Sequence, residues 1–379
     1  MAQTTQDPAA HARVGSVGMR DLDIGTFIEA LAMAGGTDLH LKVGAPPRVR
    51  ISGDLHPLNV GDLEDGDMYR LAREAMPPEL WHSFHTGDVH DVAFAYESVT
   101  AGRFRVACSR QRGSIELVLR RIPSLPRLDA LGLADPVVRV AGLDGGLVVV
   151  TGPARSGKTT TLAALVAAVN ATRRCHVVTI EDPVEYVFGD DLASVSQRSV
   201  GVDAVSTGEA IRFTARQDPD VVCVSAVRNC VEFDAVLDVL AAGILVFVSL
   251  DADGVVPALE RILGWYGDAD RPRVRSGLSR HLRLATAQRL VPASSGEAMV
   301  VAAEILVDTR EVASLLRGGD VHEFVELMSD DGAHGMQTME QALAARVLTG
   351  EVDAMVAATA APRRDALVAV LEPAGISMW

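Results

Sequence analysis

Apolar positions recur along this chain with two different periods, and the switches between them mark its organisation. Residues 1–20 are small and polar without any period, too poor in apolar side chains to repay ordering, and are expected to form a disordered tail. Leu22, Ile24, Phe27, Ile28 and Leu31 then recur at helical spacing, and Gly35-Gly36 supply a stop. Alternating runs at 38–43 and 48–51 read as strands, the second turning at Ser52-Gly53-Asp54. A helical stretch over about 67–83 is followed by strands at 89–97, 103–109 and 115–122. These elements make a small α+β domain over residues 21–122, its last strands carrying Arg103, Arg105, Arg110, Arg112, Arg120 and Arg121.

Three prolines between residues 123 and 136 interrupt both periods, and this segment reads as a linker. Beyond it, apolar runs at 146–151, 177–181, 221–225 and 244–250 alternate with helical patterns. That alternation predicts a parallel sheet flanked by helices, an α/β domain spanning 137–379. From about residue 270 the pattern is mostly helical, with one strand-like interruption at 298–306.

Composition narrows the class. A formal net charge of −15 argues against a motor that tracks a nucleic-acid backbone. No apolar stretch reaches the ~18 residues of a membrane span, so no transmembrane segment is expected. The start, Met1-Ala2-Gln3-Thr4-Thr5-Gln6-Asp7, lacks the basic and apolar regions of a secretory signal. Cys108, Cys175, Cys223 and Cys230 form no C-x-x-C pair and are expected as reduced thiols of a cytosolic protein.

The chemistry concentrates at Gly152-Pro153-Ala154-Arg155-Ser156-Gly157-Lys158-Thr159, which fits G-x-x-x-x-G-K-[ST], a Walker A phosphate loop. It follows the apolar run at 146–151 and opens into a helical pattern beginning at Thr160, the strand–loop–helix context the motif requires. Backbone N–H groups of such a loop point at the phosphates, and the helix N-terminus adds partial positive charge. Lys158 is expected to reach the β- and γ-phosphates, and Thr159 to complete the shell of Mg²⁺. The chain is therefore expected to bind ATP with Mg²⁺.

Several further stretches resemble the ATPases of type IV pili and type II secretion, and most closely their pilus-retraction branch. In the first domain they are Gly36-Thr37-Asp38-Leu39-His40-Leu41, Pro46-Pro47-Arg48-Val49-Arg50-Ile51 and Gly102-Arg103-Phe104-Arg105-Val106. In the second they are Thr179-Ile180-Glu181-Asp182-Pro183-Val184-Glu185-Tyr186, Arg216-Gln217-Asp218-Pro219-Asp220, Gln288-Arg289-Leu290-Val291-Pro292 and Gly335-Met336-Gln337-Thr338-Met339. The resemblance spans about residues 22–350 and implies a PAS-like N-terminal domain, a RecA-like motor domain and a helical C-terminal region. It implies a ring, in this family a hexamer or a ring mixed with a paralogue, acting in the cytoplasm against a platform protein at the inner membrane. It makes Glu181 the candidate general base, with Asp182 and Glu185 as candidates to hold metal or water. Arg105 and Arg121 best resemble arginines that reach a neighbouring subunit's nucleotide.

The chain also departs from the family pattern. Where the family carries Gly-Glu after its Walker B strand, this sequence has Ser225-Ala226, and Asn229 replaces an acidic residue. Both histidines of the family's His box are absent, their places being Ile244 and Asp251, and Arg155 replaces a glycine inside the phosphate loop. Binding residues thus persist while several turnover residues do not. The reading leans to an ATPase of weak turnover; the alternative is an ATP-binding accessory or regulatory subunit that does not hydrolyse.

Overall fold

The computed structural model describes residues 23–376 apart from 52–53, 123, 297 and 331–333. The expected tail at 1–20 and the turn residues Ser52-Gly53 lie outside the described residues. The chain divides into two compact units, one of described residues up to Ser124 together with Pro183–Tyr186, the other of Leu125–Asp182 and the described residues from Val187 onward.

In the first unit, Ile24–Met33 (α1) starts at Asp23, whose carboxylate accepts from the Thr26 amide at 2.7 Å. Three strands follow: Asp38–Lys42 (β1), Arg48–Ile51 (β2) and Asp54–Pro57 (β3). The helical stretch expected over 67–83 is two helices, Asp65–Ala75 (α2) and Pro78–Thr86 (α3). Two prolines cause the break: Met76 before Pro77 is extended, and Pro78 occupies the first turn of α3, where its missing N–H costs nothing. Then come Val92–Ser98 (β4), Gly102–Gln111 (β5) and Ser114–Arg121 (β6). Arg112 and Gly113 both take positive φ (52° and 86°), the tight turn that matches the twist of a two-residue hairpin. The sheet order is β3-β2-β1-β6-β5-β4, antiparallel throughout. Leu39, Leu41, Phe104, Val106, Leu117 and Leu119 of its strands form one core with Phe27, Leu71 and Phe84 of the helices.

The second unit begins within the expected linker: a 3-10 turn at Leu128–Leu131 buries Leu128 in this unit's core, beside Asp135–Arg139 (α4). There follow Gly146–Gly152 (β7), Lys158–Thr172 (α5), His176–Glu181 (β8), Ser194–Ser199 (β9), Thr207–Thr214 (α6) and Val221–Val224 (β10). Cys230–Ala241 (α7), Leu245–Asp251 (β11), Val255–Gly264 (α8), Arg271–His281 (α9), Leu282–Pro292 (β12) and Met299–Val307 (β13) continue it. Arg310–Gly318 (α10), Glu323–Asp330 (α11), Met339–Leu348 (α12), Ala354–Ala360 (α13) and Arg364–Leu371 (α14) complete it. The seven strands lie in the order β13-β12-β7-β11-β10-β8-β9, parallel except for β12 against β13.

Both faces of this sheet are covered. Leu147 and Val149 of β7 enter the core beneath α7 and α8, while Val148 and Val150 enter the core beneath α5. A strand buried on both sides reads as an unbroken apolar run, which is why 146–151 shows no alternation. The mostly helical expectation beyond 270 is corrected by β12: eleven residues whose Gln288 and Arg289 interrupt the apolar run, yet both faces are packed. Ser194–Ser199 also carried no apolar period, because β9 is a half-buried edge strand. Among the described residues no helix is long and apolar enough to cross a membrane. All four cysteines are free thiols, and burial pushes the Cys108 thiol up to about 12.

One carboxylate of β13 caps a helix from a distance. Gly254 offers α8 no side-chain cap, and Glu304 Oε2 instead accepts from the Val255 amide at 2.7 Å. Desolvation raises the Glu304 pKa above its ordinary 4.5, against the helping effect of that amide. The native state therefore holds the Glu304 proton more tightly than the unfolded chain does. The penalty is absent below the unfolded pKa and grows as pH rises through the raised folded value. Glu304→Gln is expected to raise the thermal midpoint at pH 8 and to leave it unchanged near pH 4, a difference that melting curves at the two pH values would test.

Candidate nucleotide site

The phosphate loop is set by β7 and α5. Gly152 ends the strand at φ 143°, where an added Cβ would run into Ser156 and the Gln288 carbonyl. Gly157 caps α5 at φ 91°, in the left-handed region that favours glycine, and brings no side chain to block the amides of the first turn. Arg155 sits in the same region at φ 66°, strained for a residue with a Cβ. Ser156 is buried and its hydroxyl has no hydrogen-bond partner. One turn into α5, the buried Thr161 hydroxyl meets the Gln288 amide of β12, with Nε2 donating at 2.9 Å. Lys158 Nζ donates to the carbonyls of Gly152 at 2.9 Å and Pro153 at 2.8 Å, and lies 3.0 Å from Asp251 Oδ1.

Glu181 closes the neighbouring side. It ends β8, is 9% exposed, and accepts from Thr179 Oγ1 at 2.6 Å and from Gln197 Nε2 of β9 at 3.0 Å. The oxygen-bearing side chains of Thr159, Thr179, Glu181 and Ser225 line, together with Cys223, Phe188 and the apolar Leu162, Ala163 and Val166 of α5, a space of about 20 Å³, room for one water. Oxygen donors of this kind suit Mg²⁺, and the unpartnered Ser156 hydroxyl and side-chain-free helix start suit a phosphate chain, so the residues fit both groups. The other acidic residues point elsewhere. Asp182 lies 3.4 Å from Arg228. Glu185, in the short segment that groups with the first unit, pairs with Arg105 at 3.3 Å. Among the described residues no cluster of three or more His, Cys, Asp or Glu side chains is placed to hold a metal. The structure thus brings Thr159 and Glu181 to one space and directs Asp182 and Glu185 to arginines. Arg121 is exposed at the end of β6.

Residues 111–345 match the model of the type II/IV secretion system protein family. The chain is 32% identical to the type IV pilus retraction ATPase PilT of Pseudomonas aeruginosa over 330 residues, 87% of this chain and 95% of the relative. It is 33% identical to the type IV pilus ATPase PilU of the same organism over 327 residues, 86% of this chain and 85% of the relative. A crystal structure of the pilus retraction motor PilT with bound ADP superposes with a TM-score of 0.83 at 32% identity, covering 92% of this chain and 99% of that one. The chain belongs to the type II/IV secretion ATPase family, in its PilT-like branch.

In this PilT-like ATPase the segments that follow β10 and β11 are also tied down at this end of the sheet. After β10, the Ser225 amide donates to the Ile180 carbonyl at 2.9 Å and the Val227 amide to that of Ser249 at 2.8 Å, so Ala226 stands in a loop held by main-chain bonds on both sides. Ser249 Oγ also donates to the Ser225 carbonyl. Asn229 caps α7, its Oδ1 accepting from the Glu232 amide at 3.0 Å. Asparagine is among the residues preferred at such a cap. Asp251, noted in the sequence only as a missing histidine, is the ion-pair partner of Lys158. Its place was recoverable from topology: β11 runs beside β7, and Asp251 pairs with Gly152 in register.

Arg155→Gly removes a side chain from a left-handed position, worth about 1 kcal/mol, partly offset by the greater freedom of glycine in the unfolded chain. The variant is expected to melt no lower than the parent and up to a few degrees higher in differential scanning calorimetry; a lower midpoint would mean that Arg155 stabilises the loop through contacts that outweigh its strain.

Proposed function

We propose that the protein is an ATP-binding motor subunit of the pilus-retraction type, coupling ATP binding and slow hydrolysis to pilus disassembly. The observation that carries this is the loop at 152–159, with its unpartnered serine hydroxyl and side-chain-free helix start beside a buried, doubly hydrogen-bonded Glu181. Gly152, Pro153, Ala154, Arg155, Ser156, Gly157, Lys158, Thr159 and Thr160 would surround the phosphates of the nucleotide. When bound, Mg²⁺ would be held by Thr159 and would neutralise charge on the phosphates. Glu181, held in orientation by Thr179 and Gln197, would accept the proton of the attacking water. Asp182 and Glu185 would contribute to metal or water only on leaving Arg228 and Arg105. In a ring, Arg105 and Arg121 are the candidates to face a neighbour's nucleotide, Arg105 then exchanging its bond to Glu185 for a phosphate. Such a ring, a hexamer or one mixed with a paralogue, would work in the cytoplasm at the inner membrane against a platform protein.

Ala226 supports a second reading. A methyl group cannot make the water-mediated hold on a metal that a carboxylate makes, and such outer-shell losses cost about 10–100-fold. The protein would then be a non-hydrolysing accessory subunit that binds ATP beside an active ring. Titration with ATP and Mg²⁺, and phosphate release under steady state, separate the two. Lys158→Ala is expected to weaken ATP binding by about 10–100-fold. Glu181→Gln is expected to leave binding in place and to cut turnover by about 100-fold or more. Ala226→Glu is expected to raise turnover; a wild type with tight binding and no phosphate release would select the accessory subunit. Wild type that binds no nucleotide would end both readings.

A further inference from the structure

A water held inside a protein needs about two to four polar partners. The space of about 20 Å³ at the end of the sheet admits one water, and the oxygens of Thr159, Thr179, Glu181 and Ser225 surround it. Two of these groups are committed to each other, Thr179 Oγ1 donating to Glu181 Oε1 at 2.6 Å. Gln197 Nε2 donates to the same carboxylate oxygen at 3.0 Å. The hydroxyls of Thr159 and Ser225 are differently placed: neither has a hydrogen-bond partner among the described residues. The Cys223 thiol beside them is a weak donor and a weak acceptor.

The main chain of Ser225 is pinned from both sides. Its amide donates to the Ile180 carbonyl of β8 at 2.9 Å, and its carbonyl accepts from Ser249 Oγ of β11. Rotation about the Cα–Cβ bond is the freedom left to the hydroxyl, so the oxygen swings on a fixed pivot at the rim of the space. Glycine, the residue of the family pattern at this position, would bring no oxygen there. Ala226 brings only a methyl group. The hydroxyl at 225 is therefore a polar group that this chain adds to the space, next to the place where it lacks a carboxylate.

We propose that the Ser225 hydroxyl holds a water of the Mg²⁺ shell, supplying in this chain the outer hold that Ala226 cannot make. The inference rests on the reading of residues 152–160 as the nucleotide site, with the metal on Thr159. A bound Mg²⁺ keeps several of its waters, and Thr159 and Ser225 line one water-sized space, so a water carried by the metal falls within reach of both. Such a water donates to the serine oxygen as it would to a carboxylate. The acceptor is neutral, so the hold is weaker than the one a charged group makes. One hydrogen bond of this kind corresponds to a factor of about two to ten in metal-dependent affinity. Ser225 is thus a positioning residue: it acts on the metal through water and leaves the proton transfer to Glu181.

The test is calorimetric titration of the full-length protein with the slowly hydrolysed analogue ATPγS, in saturating Mg²⁺ and in EDTA, for wild type and Ser225→Ala. Where binding in EDTA is weak, it is read by competition against a fluorescent nucleotide. The expected result is that Ser225→Ala weakens ATPγS about threefold to tenfold with Mg²⁺ and by less than about twofold in EDTA. Equal weakening in the two conditions would overturn the inference, because Ser225 would then act on the fold or on the phosphates and not on the metal. Unchanged or tighter binding with Mg²⁺ would overturn it as well. Ser225→Gly serves as the second variant should the first fail to fold, with the same expectation. Wild type that binds no ATPγS in either condition would fail at the parent reading, whereas wild type that binds it equally with and without Mg²⁺ would fail only here.

Discussion

Six strands that run in the same direction decide where this protein can do chemistry. From Gly146 opposite Leu245 to Gly152 opposite Asp251, the β7–β11 ladder holds seven consecutive residues in register, and β10 and β8 continue that alignment on the other side of β11. Parallel pairing forces every strand to leave the sheet at one edge, so the residues just past the strand ends must share a crevice. Gly152, Asp251, Ser225 and Glu181 meet there, although they lie far apart in sequence. The side chains that fix this register are apolar and buried on both faces, so the geometry of the crevice is paid for by the core and not by the residues that line it.

That separation explains which parts of the molecule were legible in sequence. The buried central strands announced themselves as apolar runs, and the loop between β7 and α5 carried a pattern whose glycines are required by its backbone angles. Strand β12 did not announce itself, because Gln288 and Arg289 lie mid-strand and bond to partners distant in sequence, Gln288 to Thr161 and Arg289 Nη1 to the Ala360 carbonyl. The break at Pro77-Pro78 was written in the sequence, but the helical period on either side of it is continuous enough to hide it. At the site, Lys158 and Glu181 were readable from their neighbours in the chain. The pairing of Asp251 with Lys158 was not, since only the order of strands in the sheet brings those two together.

Ala226 and Asn229 sit where the fold is held without a carboxylate. Ala226 occupies a loop whose neighbours bond through their main chain to Ile180 and Ser249, so its backbone is fixed without help from its side chain. Asn229 continues to start α7.

The bond between Thr161 and Gln288 joins the first turns of α5 to the middle of β12, in a place closed to water. Farther along that strand, Val291 packs into the cluster formed by α12, α13 and α14. An extended strand transmits a pull along its backbone with little give, unlike a loop. The helix that begins at the phosphates cannot tilt without either breaking that buried bond or hauling the strand along, and the C-terminal helices ride on the strand. One strand thus touches both the helix that follows the phosphate loop and the cluster of the last three helices.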